Sequence, residues 1–211
     1  MTAILFDLDG TLLNTLDDLA DAVNATLIHF GCPERTTDEV RQFVGNGAER
    51  LIRLALPGKT DDPEVSAVLA YFQEYYATHA QIKTRPYDGV LEALTEIQAE
   101  YPVAIVSNKP DRAVKILCRQ YFGDTYAIGQ SSVLPRKPAP DMIHKAMEAI
   151  DADRCIYVGD SEVDVLTAKN AGVPCLSVLW GFRDKEILAE AGATHFCEDP
   201  KDLLKVLKEM I

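Results

Sequence analysis

The chain has 211 residues, 47% of them hydrophobic, and a formal net charge of −12 at pH 7. This length fits one large domain, or a core domain with a smaller insertion. The strong negative charge excludes nonspecific binding to nucleic acid or to anionic membranes. The five cysteines are dispersed and show no C-x-x-C spacing, which favours free thiols in a reducing cytoplasm over disulfides or a zinc site.

The first predicted element is a buried strand at residues 3–6, where four apolar residues follow one another. Two carboxylates and a glycine come directly after it, in Asp7-Leu8-Asp9-Gly10-Thr11. Because residues two apart in a strand point to the same face, we expect the Asp7 and Asp9 side chains to project together from its end. The pair suits metal-assisted acid/base chemistry, a nucleophile beside its proton donor, or simply a polar strand end before a turn.

Helical periodicity replaces the strand pattern in the next part of the chain. Apolar residues recur at steps of three and four, as along residues 16–30, and this predicts about four helices and no convincing strand. We therefore expect a helical cap domain at residues 14–84, inserted into a core domain formed by residues 1–13 and 85–211. The insertion point favours a lid over the carboxyl ends of the core strands, with a decorative or dimerising subdomain as the alternative.

After residue 85 predicted helices alternate with predicted strands. Short apolar strands are expected at residues 103–106, 126–128, 155–158 and 174–179, and short elements of unassigned type at residues 194–197 and 203–210. Such alternation predicts a parallel sheet covered by helices on both faces. The predicted fold class is therefore α/β, with a doubly wound, Rossmann-like parallel-sheet core and a small all-helical insertion.

Three further polar clusters fall at the ends of predicted strands or just before a helix. They are Ser107-Asn108-Lys109, Arg136-Lys137-Pro138 and Gly159-Asp160-Ser161-Glu162-Val163-Asp164. Each one alone is typical of a helix cap or a solvated turn. Together with Asp7 and Asp9 they make four clusters in order along one edge of one sheet, where open α/β sheets bind ligands. We interpret the set as a functional site.

The four clusters resemble the motifs of the haloacid-dehalogenase-like hydrolase superfamily. The matches are Asp7 to Thr11 with D-x-D-G-T, Ser107 with the Ser or Thr after a hydrophobic strand, Lys137 with the lysine before a helix, and Gly159, Asp160 and Asp164 with G-D-x-x-x-D. The resemblance covers essentially the whole chain. The second aspartate, Asp9, is present in the phosphatase and phosphomutase branches, whereas dehalogenases and phosphonatases of the superfamily lack it.

This resemblance implies a magnesium-dependent phosphatase that works through an aspartyl-phosphate. Asp7 would be the nucleophile, and Asp9 would protonate the leaving oxygen and then take a proton from the attacking water. Mg²⁺ would be held by Asp7, the backbone carbonyl of Asp9 and Asp160. Asp164 would stand outside this ligand set and fix Lys137 or a metal-bound water.

The resemblance also assigns the phosphate-binding groups. Ser107 and Lys137 would hold the phosphoryl oxygens, and the backbone N–H of Asn108 would add to that cradle. The substrate would be a small phosphorylated metabolite, and hydrolysis is expected ahead of phosphoryl transfer. The alternatives are a phosphomutase of the β-phosphoglucomutase type, an inorganic pyrophosphatase of the same superfamily, and a catalytically silent phosphate-binding protein.

Several stretches look like the phosphoglycolate phosphatase branch. They are Val44-Gly45-Asn46-Gly47-Ala48, Arg85-Pro86-Tyr87 and Ser107-Asn108-Lys109-Pro110, although the chain reads Gly129-Gln130-Ser131 where that branch usually shows Gly-Gly-Asp. Asn46 and Arg50 are the candidate substrate-binding residues of the predicted cap, and a Gly-rich hinge or helix cap is the alternative reading. We expect the chain to act as a monomer or a homodimer.

Overall fold

The computed structural model describes residues 1–58 and 62–211 of the chain. The chain divides into two compact units. The larger one consists of Met1–Asn14 and Pro86–Ile211, and the smaller one of Thr15–Arg85. That the smaller unit acts as a cap for the larger one stays a prediction.

The sheet of the larger unit is parallel, as the alternating pattern predicts. The strands of the chain are β1 (Thr2–Phe6), β2 (Leu13–Asn14), β3 (Arg85–Pro86), β4 (Val103–Pro110), β5 (Tyr126–Gln130), β6 (Arg154–Gly159), β7 (Cys175–Val178) and β8 (His195–Cys197). Six of them form one sheet in the order β5-β4-β1-β6-β7-β8, with parallel neighbours. The short β2 and β3 pair with each other. The predicted α/β, Rossmann-like fold is therefore confirmed.

The α-helices are divided between the two units. Those of the smaller unit are α1 (Leu16–His29), α2 (Thr37–Phe43), α3 (Gly47–Ala55) and α4 (Asp62–His79), and those of the larger are α5 (Val90–Glu100), α6 (Asp111–Phe122), α7 (Asp141–Ala149), α8 (Glu162–Ala171), α9 (Lys185–Glu190) and α10 (Leu203–Met210). In the described part of the chain, no helix is long and apolar enough to cross a membrane.

The apolar sequence of the central strand β1 from Ala3 to Phe6 follows from its position, since both of its faces are buried. Ile4 and Phe6 pack into a core cluster with residues of α5, α6 and α10 on one face of the sheet. Ala3 and Leu5 pack into a second cluster with residues of α7 and α8 on the other face. Because successive side chains of a strand point to opposite faces, a strand covered on both sides has no position for a polar residue.

Two elements differ from the sequence-based expectation. β4 continues beyond residue 106 to Pro110, so the polar Ser107-Asn108-Lys109 segment lies within the strand, where the pairing register with β5 shifts. Helix α9 was not expected. Its six residues, Lys185–Glu190, are too few to show a helical repeat of apolar positions.

The smaller unit contains a buried carboxylate that holds its own C-terminal segment. Asp18 in α1 is 2% exposed. It accepts hydrogen bonds from the backbone N–H groups of Lys83 at 2.9 and 3.0 Å and of Thr84 at 2.8 Å. A carboxylate that receives backbone N–H groups makes stronger hydrogen bonds than a neutral acceptor does. Asp18 therefore ties the end of this unit to its first helix.

Replacing Asp18 by alanine should loosen this segment, because two backbone N–H groups lose their acceptor. The loss of such bonds costs about 1–3 kcal/mol, so the amide hydrogens of Lys83 and Thr84 should exchange with deuterium about 5- to 150-fold faster. Asp21→Ala is the matched control, since Asp21 is exposed and forms an ion pair with the exposed Lys83 side chain, and surface pairs contribute little. Equal protection of both amides in Asp18→Ala and wild type would contradict this assignment.

Candidate active site

The polar residues singled out in the sequence lie at the carboxyl edge of the parallel sheet. Asp7 follows β1, Asp160 follows β6, and Ser107-Asn108-Lys109 forms the last part of β4. Lys137 comes from the segment before α7. Asp7, Lys137 and Asp160 are only 6%, 2% and 1% exposed. Because β4, β1 and β6 are neighbours in the sheet, their ends bring segments distant in sequence to one place.

Lys137 is the centre of the site. Its Nζ donates to Asp7 Oδ1 at 2.7 Å, to Asp164 Oδ1 at 2.8 Å and to the Tyr157 hydroxyl at 3.0 Å. An ammonium has three protons, and these three bonds use all of them. The Lys137 backbone is also held, because the Asn108 side-chain amide donates to its carbonyl at 3.0 Å and accepts from its N–H at 2.8 Å. The lysine is thus fixed at both its backbone and its charged end.

Asp160 is held from both sides by groups outside its own motif. Its Oδ1 accepts from the Thr11 hydroxyl at 3.1 Å, and its Oδ2 accepts from the backbone N–H of Phe182 at 2.7 Å. Gly10 and Gly181 lie so close to this carboxylate that a Cβ at either position would collide with it. Gly10 also has a φ of 88°, a conformation that favours glycine.

Asp164 is surrounded by hydrogen-bond donors. Its Oδ1 faces Lys137 and, at 3.0 Å, the Tyr157 hydroxyl, while its Oδ2 accepts from the backbone N–H of Ser161 at 3.1 Å and from its hydroxyl at 2.5 Å. A carboxylate has about four lone-pair positions, and these contacts occupy all of them. Asp164 is therefore suited to anchoring Lys137. Asp160, which receives two such bonds, keeps more lone pairs for a metal.

Burial and crowding perturb the protonation of these groups. Burial raises the pKa of Asp7 well above its usual value; Lys137 opposes this, and Asp164 and Asp160 add to it. Burial and then Asp164 raise the pKa of Asp160 to about 7. Burial alone would lower the pKa of Lys137, but Asp164 and Asp7 outweigh it and the pKa is raised. The site therefore holds its lysine charged but leaves its carboxylates short of positive charge.

A divalent cation fits this arrangement. Oxygen atoms of Asp7, Asp160 and Asp164 lie within 4.8 Å of one another, and all three residues are buried. These three carboxylates and the ammonium of Lys137 leave an excess of two negative charges in their ionised forms. Carboxylate oxygens are the hard ligands that Mg²⁺ prefers. The donor set and its charge thus match an Mg²⁺ site in which Asp7 and Asp160 offer the accessible oxygens.

Asp9 lies apart from this group. Its carboxylate is not part of the acidic cluster found among the described residues, and its Oδ1 accepts a hydrogen bond from Lys109 Nζ at 2.7 Å. The expectation that Asp7 and Asp9 project together is based on strand geometry, but β1 ends at Phe6. The alternation of a strand no longer governs where the two side chains point.

The remaining predicted residues have separate positions. Ser107 is buried, and its Oγ accepts from the backbone N–H of Lys109 at 3.2 Å, a bond that does not use the hydroxyl proton. The Asn108 side chain positions Lys137, and phosphate binding by its backbone N–H stays a prediction.

Asn46 precedes α3 as its N-terminal cap residue and is half-buried, while Arg50 lies on α3 and is exposed. Both belong to the smaller unit, and their contact with substrate stays a prediction.

Several contacts of the site were not anticipated from the sequence. Thr11 was part of a recognised motif but had no assigned role, and Tyr157 was counted only as a core residue of its strand. Lys109 was part of a polar cluster, and a lysine directly after buried strand residues was the available signal for its ion pair. Phe182 contributes through its backbone N–H, which any residue except proline supplies. No side-chain pattern reveals a contact of that kind.

Known proteins match this chain along most of its length. The sequence profile of haloacid dehalogenase-like hydrolases matches residues 4–178. The chain belongs to this hydrolase family. Phosphoglycolate phosphatase 1 of Pseudomonas aeruginosa is 36% identical to it over 95% of this chain and 78% of the relative. The phosphoglycolate phosphatase of Rhodobacter capsulatus is 34% identical over 92% and 91%.

Solved structures of haloacid dehalogenase-like hydrolases have the same fold. A structure from Lactobacillus delbrueckii subsp. bulgaricus, described as a candidate phosphoglycolate phosphatase, has a TM-score of 0.91 and 33% identity, and the match covers 97% of each chain. A predicted phosphoglycolate phosphatase from Haemophilus somnus has a TM-score of 0.87 and 28% identity, again over 97% of each chain. The family resemblance expected from the four motifs is confirmed.

The crowded carboxylates predict an unusual pH dependence for the metal-free protein. Because the pKa values of Asp7 and Asp160 are raised in the folded state, the folded chain binds protons that the unfolded chain releases. Stability should therefore fall as pH rises from about 4, the unfolded pKa, to about 7, the folded pKa of Asp160. Thermal unfolding in EDTA measures this, and added Mg²⁺ should raise the Tm more at the upper pH, where the ligands are ionised.

Asp160→Asn should flatten this pH dependence, because an amide does not titrate. Asp141→Asn, the same change at the start of α7 and outside the acidic cluster, should keep the wild-type slope. Identical Tm profiles of wild type and Asp160→Asn in EDTA would refute the assignment.

Proposed function

We propose that this hydrolase is a magnesium-dependent phosphatase that hydrolyses a small phosphorylated carboxylate, phosphoglycolate being the first candidate, through an aspartyl-phosphate. The observation that carries the proposal is the buried group of Asp7, Asp160 and Lys137. The Lys137 ammonium lies 2.7 Å from Asp7, and carboxylate oxygens of Asp7 and Asp160 lie within 4.8 Å of each other. This group would supply a nucleophile, a metal ligand and a fixed positive charge. The choice of phosphoglycolate is supported by the names of the relatives from Pseudomonas aeruginosa and Rhodobacter capsulatus.

Magnesium would be held by the carboxylate of Asp7, the backbone carbonyl of Asp9 and the carboxylate of Asp160. When bound, it would offset the negative charge that the carboxylates and the phosphoryl oxygens bring together. Thr11 and the backbone N–H of Phe182 orient Asp160 for this task through its two oxygens. Such supporting contacts fix the direction of a metal ligand and tune its affinity.

Hydrolysis then proceeds in two successive displacements at phosphorus. In the first, a carboxylate oxygen of Asp7 bonds to phosphorus, the ester P–O bond breaks, and Asp9 gives its proton to the leaving oxygen. In the second, a water oxygen bonds to phosphorus while Asp9 takes a proton from that water. The bond between phosphorus and Asp7 breaks, which releases phosphate and restores both aspartates.

In this proposal Ser107 donates a hydrogen bond to the phosphoryl group, and Lys137 attracts it as a fixed positive charge. The Lys137 ammonium already contacts Asp7, so it lies beside the oxygen that attacks and opposes charge that builds up there. The Ser107 hydroxyl retains its proton for a phosphoryl oxygen, and the Asn108 N–H adds a backbone donor. Asn46 and Arg50 of the smaller unit are proposed to bind the carboxylate of the substrate. A reducing cytoplasm is the proposed location, since all five cysteines are free.

The direct test measures phosphate release from 2-phosphoglycolate with Mg²⁺ and again in EDTA. The wild-type protein should release phosphate in Mg²⁺ and release none in EDTA. Asp7→Asn should lower kcat by at least about 1,000-fold, because an amide does not form the covalent intermediate. Asp141→Asn is the control for the substitution itself. Turnover that persists in Asp7→Asn would remove Asp7 as the nucleophile.

The same assay separates the alternatives. Release from pyrophosphate with none from 2-phosphoglycolate would indicate a pyrophosphatase, and phosphate exchange between sugar positions without release would indicate a mutase. Tight phosphate binding without any turnover would indicate a silent binding protein and would refute the proposed function.

The metal assignment predicts a change in magnesium requirement. Asp160→Asn removes one anionic ligand, so half-maximal activity should need about 10- to 100-fold more Mg²⁺, with a smaller effect on the KM for substrate at saturating metal. The comparison uses a magnesium titration of wild type, Asp160→Asn and Asp141→Asn under identical conditions. An unchanged requirement in Asp160→Asn would exclude Asp160 from the ligand set.

A further inference from the structure

Asp9 has a contact that its role as a proton carrier does not by itself require. Lys109 Nζ lies 2.7 Å from Asp9 Oδ1, and the two side chains are 2% and 14% exposed. They come together because β4, which carries Lys109, is the direct neighbour of β1 in the sheet. A lysine with so little access to water is costly unless its charge is paired. The pair is therefore a feature that the site maintains.

The Asp9 carboxylate lies outside the group of carboxylates that is suited to hold a metal. Asp9 is two residues from Asp7, yet the buried acidic group of the described residues comprises Asp7, Asp160 and Asp164 and does not include Asp9. A carboxylate free to turn toward a divalent cation would compete with Asp7 and Asp160 as a metal ligand. Lys109 supplies a nearby positive charge that holds the Asp9 side chain in an ion pair instead.

The thiol of Cys118, which lies near both residues, is consistent with the pairing of Lys109 with Asp9. Cys118 of α6 is buried, and its pKa is raised to about 12 by that burial, with Asp9 adding to the increase and Lys109 opposing it. The thiol is therefore neutral at ordinary pH and does not compete with Asp9 for the charge of Lys109. The ammonium is left to act on the carboxylate that it contacts.

We propose that Lys109 is a positioning residue for the reaction. Its ammonium fixes the Asp9 carboxylate away from the oxygens of Asp7 and Asp160 that bind metal, in the orientation that exchanges a proton with the leaving oxygen and with water. Lys109 keeps its own three protons throughout and forms no bond to substrate. This inference rests on the proposed function, because it assigns the lysine to the same two displacements.

The test compares two substrates that differ in their need for a proton. The leaving group of 2-phosphoglycolate is the alkoxide of glycolate, which must be protonated. The leaving group of p-nitrophenyl phosphate is p-nitrophenolate, which is stable without a proton. With Mg²⁺, Lys109→Met should lower kcat/KM, which reports the steps up to phosphoryl transfer to Asp7, by about 10- to 100-fold for 2-phosphoglycolate and far less for p-nitrophenyl phosphate. The KM for 2-phosphoglycolate should change by less than about threefold. Lys109→Arg should recover part of the loss because it keeps the charge.

The control is Lys115→Met, since Lys115 is an exposed lysine whose partner is Asp111 on the same helix, and it should behave as wild type. A double-mutant cycle with Asp9→Asn then isolates the coupling. If Lys109 acts through Asp9, Lys109→Met should add less than about threefold to the loss in kcat for 2-phosphoglycolate that Asp9→Asn already causes. Where Lys109→Met does not fold, as judged by circular dichroism, Lys109→Gln serves in the same comparison.

Three results would overturn the inference while leaving the proposed function intact. They are equal losses of kcat/KM for both substrates, a loss confined to KM, and a full additional loss in the Asp9→Asn background. Each would mean that Lys109 supports the fold or binds substrate rather than positioning Asp9. A wild-type chain without turnover on either substrate would instead refute the proposed function, and with it this inference.

Discussion

An excess of buried negative charge governs the site of this hydrolase. Asp7, Asp160 and Asp164 meet with one buried ammonium, that of Lys137. Carboxylates at such distances repel one another, and removal from water makes each charge more costly. The raised pKa values of Asp7 and Asp160 express this cost. A group built in this way has an excess of negative charge that a divalent cation would offset.

The fold supplies the rigidity that such a group needs. β4, β1 and β6 lie side by side with both faces of the sheet covered, so their carboxyl ends hold fixed positions. Gly10 and Gly181 then leave space for the Asp160 carboxylate, and the Asn108 amide fixes the backbone of Lys137 from the neighbouring strand. The precision of the site comes from these supporting contacts as much as from the charged residues.

The sequence was sufficient to predict which segments meet but not how each side chain is used. Alternating apolar runs predicted the parallel sheet, and the ends of parallel strands predicted that Asp7, Lys137 and Asp160 lie near one edge. That Asp9 lies outside the acidic group of Asp7 was not predictable, because the alternation rule stops where β1 ends at Phe6. The backbone contact of Phe182 with Asp160 was equally hidden, since a backbone donor carries no residue signature.

The two lysines give the two motif aspartates different environments. Lys137 contacts Asp7 within the acidic group, where the proposed nucleophile would have to stay ionised among other charges. Lys109 contacts Asp9 outside that group, where the proposed proton carrier would stay free of a metal. Two carboxylates two residues apart in sequence perform different tasks only if their surroundings differ. Because β4 supplies Lys109 and the segment before α7 supplies Lys137, the difference is built by the sheet and its connections rather than by the D-x-D motif itself.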